Sequence, residues 1–99
     1  MVTTIEVTPR MIRRVRRALG MNQGQVGRLI GRGTESISVW EREDRRVPRP
    51  AADLIVGMDQ AIARSTFGQI EEARTKLDDV LKAGLVVGAA ILFIGYLAR

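Results

Sequence analysis

The chain has 99 residues, enough for one small domain or a smaller one with an appendage, and the core such a length can build is marginal. Cysteine and histidine are both absent, which excludes a disulfide framework, a thiolate nucleophile, an imidazole base and an ordinary zinc site. The net charge of +5 is unevenly spread: residues 1–50 carry eleven arginines against five acids, a balance of +6, residues 51–82 come to −2, and the remainder adds only Arg99. No phosphate-binding loop, nucleophile elbow or metal-ligand spacing occurs, so neither an enzyme nor a cofactor or metal site is expected.

Residues 1–7 read as an N-terminal arm, in which the alternation VTTIEV could also form a short strand. It lacks a cationic start followed by a long apolar run and so does not read as a signal peptide. Thr8 suits an N-cap and Pro9 the first helical position. Ile12, Val15 and Leu19 then recur at helical spacing before Gly20. The remaining positions of this first helix, Arg10, Arg13, Arg14, Arg16 and Arg17, hold the densest charge in the chain. A second helix is announced by Asn22 with Gln25 three residues on, followed by Val26, Leu29 and Ile30. Gly31, Arg32 and Gly33 interrupt it, and TESISVWERE resumes with Ile37 and Trp40 inward. Two short helices about a glycine-containing turn predict a helix–turn–helix. Gly27 fits as a position where the absence of a side chain lets the following helix cross close by.

Ala51 to Arg64 reads as another helix with Leu54, Ile55, Met58 and Ile62 inward, closing an all-α domain over 8–64. Thr66 and Gln69 repeat the capping signal at a joint, and residues 65–82 read as an amphipathic helical linker. It carries Glu72 with Lys76 and Asp78 with Lys82 at the favourable i, i+4 spacing. Its acids, Glu71, Glu72, Asp78 and Asp79, alternate with cations and read as a solvated surface.

Residues 83–98 contain no charge between Lys82 and Arg99. At 1.5 Å per residue they rise roughly 24 Å against a hydrocarbon core of about 30 Å. Val80 and Leu81, with Lys82 snorkelling, extend the run to about 28 Å, and Tyr96 and Arg99 suit the far interface. The segment therefore predicts a transmembrane span, running without interruption from the linker helix. Gly84, Gly88, Ile91 and Gly95 share one face of such a helix, and Gly84 with Gly88 has the small-xxx-small form that packs helices in lipid. The same stripe continues backwards through Leu81, Leu77, Ala73 and Ile70, which suggests a homo-oligomeric seam.

The run Leu19-Gly20-x-Asn22-Gln23-x-x-Val26-Gly27-x-x-Ile30-Gly31, then Ile37-Ser38-x-Trp40-Glu41-Arg42 and Pro48-Arg49-Pro50, resembles the helix-turn-helix of the XRE family, which includes phage repressors, Cro and many antitoxins. The opening Thr8-Pro9-x-x-Ile12-Arg13-x-x-Arg16 is similar to the antitoxin-like branch. The likeness covers residues 8–56. It departs from the family pattern at Gly27, usually alanine, at Gly33, usually serine or threonine, and at Glu43, usually glycine. The resemblance implies that the second helix of the pair enters the major groove. Gln23 would hold a phosphate, Thr34, Glu35 and Val39 would read bases, and Arg16 with Glu41 would form a structural salt bridge.

Helical spacing places Thr34, Glu35, Ser38, Val39 and Arg42 opposite Ile37 and Trp40. None of the expected base readers is Arg, Asn or Gln, the residues that make strong bidentate base contacts. Arg28, Arg32, Arg45, Arg46 and Arg49 flank the motif where phosphates would run, so double-stranded DNA is the expected partner.

The expectation is thus a small helix-turn-helix bundle followed by a long membrane-spanning C-terminal helix: a membrane-anchored DNA-binding protein, either a transcriptional regulator or a DNA–membrane tether. Positive charge on the N-terminal side places that side on the cytoplasmic or DNA face of an inner (cytoplasmic) or virion membrane. One alternative is a soluble XRE-type repressor or antitoxin that oligomerises through its C-terminal helix, with a toxin partner left open. Another is a structural membrane or virion protein with a repurposed helix-turn-helix fold.

Overall fold

Local chemistry starts and stops the first helix. In the computed structural model, which describes residues 6–84 and 88–98, α1 spans Pro9–Leu19. The Thr8 hydroxyl accepts from the Met11 amide, Pro9 stands where no helical donor is needed, and Gly20 leaves the helix at φ 63°. Of the expected N-terminal arm, residues 1–5 lie outside the described residues. Val7 is already buried against the core.

Short α2 (Gln23–Leu29) begins with a complete capping box: the Asn22 side chain accepts from the Gln25 amide, and Gln25 accepts from the Asn22 amide. It is joined by residues 30–33 to α3 (Thr34–Arg42), and α4 spans Ala51–Ala63. Ile12, Val15 and Leu19 of α1, Val26 and Leu29 of α2, Ile37 and Trp40 of α3, and Ile55 and Met58 of α4 meet in one core. Each such side chain contributes roughly 1.5–3 kcal/mol on burial. Leu54 and Ile62, expected inward, are only half-buried at its margin. All described elements are helices, six in number.

One polar tie crosses this apolar interior. Arg16 donates through Nε and Nη2 to the two carboxylate oxygens of Glu41 at 2.8 and 2.9 Å, and the Glu41 side chain is only 5% exposed. Those hydrogen bonds raise the Arg16 pKa above its ordinary value, against the opposing cost of burial. Arg13 adds a hydrogen bond to the Glu41 carbonyl oxygen, so two arginines of α1 grip the last turn of α3. On the far side of α1, Arg14 forks onto both oxygens of Asp59 in α4, at 2.8 and 2.7 Å.

The C-terminal third departs from the sequence expectation. A second capping box, Thr66 with Gln69, starts α5 (Phe67–Lys82), which ends rather than continuing through the apolar segment. Gly84 lies at φ 80° and Gly88 at φ 82°, a left-handed conformation open to glycine and closed to a continuing helix. A separate α6 (Ala89–Leu97) packs on α5 and α4. The expected single long helix is therefore two, and among the described residues no helix is long and apolar enough to cross a membrane. Gly84 and Gly88 lie on either side of residues 85–87, which are outside the described residues, and neither continues a helix to share a face with Ile91 and Gly95. Of the stripe expected to form an oligomeric seam, Ala73, Leu77 and Leu81 of α5 are buried in the same core as Ala89, Ala90 and Phe93 of α6, and Ile70 is half-buried. Seating α6 also uses Gly57 of α4, where a Cβ would stand 2.9 Å from Ile94 Cδ1.

Glu41→Ala is expected to lower stability by about 3 kcal/mol, because it strands a partly buried guanidinium, as read by urea unfolding of the full chain. Gly57→Leu is expected to cost roughly 1–3 kcal/mol through overpacking, whereas Gly57→Ala should cost less, since only the flexible tip of Ile94 must move. Equal midpoints for the two Gly57 variants would show that α6 is not seated on α4.

Candidate nucleic-acid interface

The turn between α2 and α3 is built by backbone. Gly31 sits at φ 72°, and the Arg32 amide donates to the Gly27 carbonyl at 2.7 Å, which folds the turn back over the end of α2. A Cβ on Gly27 would lie 2.5 Å from the Arg32 carbonyl oxygen and 3.2 Å from that of Gly33. The close neighbour that Gly27 admits is thus the turn itself rather than the body of the next helix.

Through this turn the starts of the two helices come side by side. A Cβ on Gly24 in the first turn of α2 would stand 3.0 Å from the Thr34 hydroxyl, the first residue of α3. Gln23, the first residue of α2, is half-buried. Thr34 and Glu35 are exposed, Ser38 and Val39 are half-buried, and Val39 also leans on the core. Ile37, Trp40 and Glu41 occupy the opposite, buried side. Gly33 at the N-cap has no side chain to accept from the first turn of α3, so no side-chain cap closes that end. Glu35 adds the one acidic group in that turn.

The arginines divide into committed and available groups. Arg45 pairs with Glu43, and Arg49 lies 3.6 Å from Asp53. Arg42 reaches back to the Ser38 carbonyl at 3.3 Å. The Arg32 guanidinium lies over the Trp40 ring, 5.9 Å from its centroid. Arg28 and Arg46 are exposed and form no ion pair among the described residues. On the other half of the molecule, Ile91 and Gly95 are exposed on α6. Lys76, expected beside Glu72, lies 5.3 Å from the centroid of the Tyr96 ring.

Sequence reasoning did not anticipate the bond from Arg13 to the Glu41 backbone or the fork from Arg14 to Asp59. Both join positions far apart in the chain with no local signature. Nor did it foresee that Arg74 would cover the end of α1, its Nη1 2.5 Å from where a Cβ on Gly20 would stand.

Comparison with known proteins gives no support from similarity: no family model matches the chain, and no curated protein or solved structure matches it.

Gly27→Ala is expected to destabilise the protein by roughly 1–3 kcal/mol by pressing on the Arg32 carbonyl, although alanine favours a helix by about 1 kcal/mol. Thermal unfolding checks the sign, and a melting temperature raised by the substitution would mean that the turn yields freely.

Proposed function

We propose that this chain binds double-stranded DNA through α2 and α3, as a transcription regulator of the kind that the XRE-family resemblance implies. The observation that supports the reading is the side-by-side start of α2 and α3: Gly24 in the first turn of α2 adjoins the Thr34 hydroxyl, Thr34 and Glu35 are exposed, and the back of α3 is packed in the core. That is the arrangement in which one helix presents its first turn to base edges while the other meets the backbone. Arg28 and Arg46, exposed and outside the ion pairs described, supply phosphate contacts, and Arg32 can join them by leaving the Trp40 ring. Affinity in this reading comes chiefly from phosphates. Thr34, Glu35 and Val39 give modest base discrimination, with Glu35 suited to a cytosine amino group and Val39 to a thymine methyl.

Anchoring of the same DNA-binding unit to a membrane by residues 83–98 is a second reading, which draws on sixteen consecutive residues without charge. It requires α6 to leave α4 and α5 and the segment to straighten through Gly84 and Gly88. Resistance of the full-length protein to carbonate extraction from membranes is its test.

For the DNA reading, fluorescence anisotropy with a labelled duplex should show affinity falling steeply with salt. Arg28→Ala and Arg46→Ala should each reduce the slope of log affinity against log salt by about 1, while Arg45→Ala should change it less because that residue is paired with Glu43. Glu35→Gln should raise affinity for most sequences and weaken any preference for a cytosine. Binding that is indifferent to salt and to all four substitutions would sink the proposal.

A further inference from the structure

Where α5 and α6 lie side by side, a groove of about 530 Å³ stays open. Small-molecule sites of roughly 300–1,000 Å³ are mostly apolar, with a few placed polar groups that fix the ligand's orientation. Buried Ala73, Leu77 and Phe93 line this groove, together with Val80 and with Leu92, which is 60% exposed. One charged residue joins them, Lys76. Its ammonium forms no ion pair among the described residues, not even with Glu72 one turn earlier on α5. It lies instead 5.3 Å from the centroid of the Tyr96 ring, which also lines the groove. The lysine stem therefore rests on apolar surface and leaves its cationic head open to an anion.

We propose that this groove binds a medium-chain amphipathic carboxylate, such as a free fatty acid, with its alkyl chain on Leu77 and Phe93 and its carboxylate on Lys76. The length agrees: from Ala73 to Val80 helix α5 rises roughly 10 Å, the reach of an extended chain of about eight carbons. Gly95 leaves room on the α6 side, since nothing stands within 4 Å of where its Cβ would be. Glu72 is the neighbouring acid, set against Tyr96 and Leu97 beside the groove. Its side chain is exposed, so water and salt weaken its repulsion of an anion held at Lys76.

Charge selects this occupant over the others that an apolar groove admits. Anionic headgroups select clusters of cations, whereas α5 holds Glu71, Glu72, Asp78 and Asp79 against Arg74, Lys76 and Lys82, a balance of −1. Another α6 laid in the groove would bring no charged residue at all and would leave Lys76 unanswered. A single carboxylate on an apolar chain matches a single ammonium on an apolar groove. The site also stands apart from the DNA reading, because α3 packs on α1 and α2 while the groove belongs to α5 and α6.

The test is equilibrium dialysis of the full-length protein against radiolabelled hexanoate, octanoate, decanoate and dodecanoate, with octan-1-ol as the uncharged comparison. Affinity should rise by up to about fourfold per methylene from hexanoate and level off before dodecanoate, where the chain overruns the groove. Octanoate should bind about fivefold more tightly than octan-1-ol. Lys76→Gln should abolish that difference and leave octan-1-ol unchanged, while Glu72→Gln should favour octanoate further. Gly95→Leu should weaken both ligands about tenfold by filling the groove. Its unfolding midpoint should not fall, because leucine favours a helix over glycine and enters open space. The proposal is overturned if none of the acids is retained, or if octan-1-ol binds the parent protein as well as octanoate does. It is overturned equally by binding that Gly95→Leu leaves intact, or by affinity that climbs undiminished through dodecanoate, the mark of adsorption to an open apolar face. Flotation of the protein on vesicles of phosphatidylcholine and phosphatidylglycerol, without uptake of the free acids, would assign the groove to a bilayer instead.

Discussion

The Glu41 carboxylate is the constraint on which the front of the molecule depends. A charge with 5% of its side chain exposed must be matched in place, and Arg16 matches it with a planar fork that fits both oxygens. Apolar packing of Ile37 and Trp40 decides which side of α3 faces inward, but it leaves the helix free to slide and tilt. The fork removes that freedom, and the hydrogen bond from Arg13 to the Glu41 carbonyl fixes the same turn through its backbone. The outer face of α3 is therefore presented in a set orientation.

A second tier of organisation comes from glycine rather than charge. Gly27 lets the turn fold onto α2, Gly31 reverses the backbone there, and Gly84 and Gly88 take left-handed angles after the end of α5 and before the start of α6. In the first case the result is two helix starts brought side by side. In the second, an apolar run that could have stood alone covers the stripe of Ala73, Leu77 and Leu81 on its own neighbour. Helix α1 links the two halves, since it packs on α3, α4 and α5.

The helix starts were legible in the sequence because capping is local: Thr8, Asn22 with Gln25, and Thr66 with Gln69 each act within three residues, and all three form the expected bonds. The inward side of α3 was legible from spacing, whereas the pairing of Arg16 with Glu41 came only from resemblance, since those residues lie 25 positions apart. Of the candidate DNA-contacting residues, exposure of Thr34, Glu35 and Arg28 could be read from helical phase, but the pairing of Arg45 with Glu43 in the segment between α3 and α4 could not. The apolar C-terminal run was misread for a physical reason. Absence of charge satisfies a protein core as well as a bilayer, and glycine at regular intervals serves close helix packing or a left-handed turn equally well. Only the backbone angles at Gly84 and Gly88 separate those uses, and no local pattern encodes the fit of Gly57 to Ile94.

The stacking of Arg32 on Trp40 has an optical consequence. Trp40 is the sole tryptophan of the chain, it is 7% exposed, and it lies under the one cation that belongs to the turn between α2 and α3. Burial is expected to shift its emission to the blue, and the guanidinium above the indole to alter its quantum yield. The protein thus carries an intrinsic fluorophore at the point where α2 and α3 join, and movement of Arg32 off the ring is expected to register there without any label.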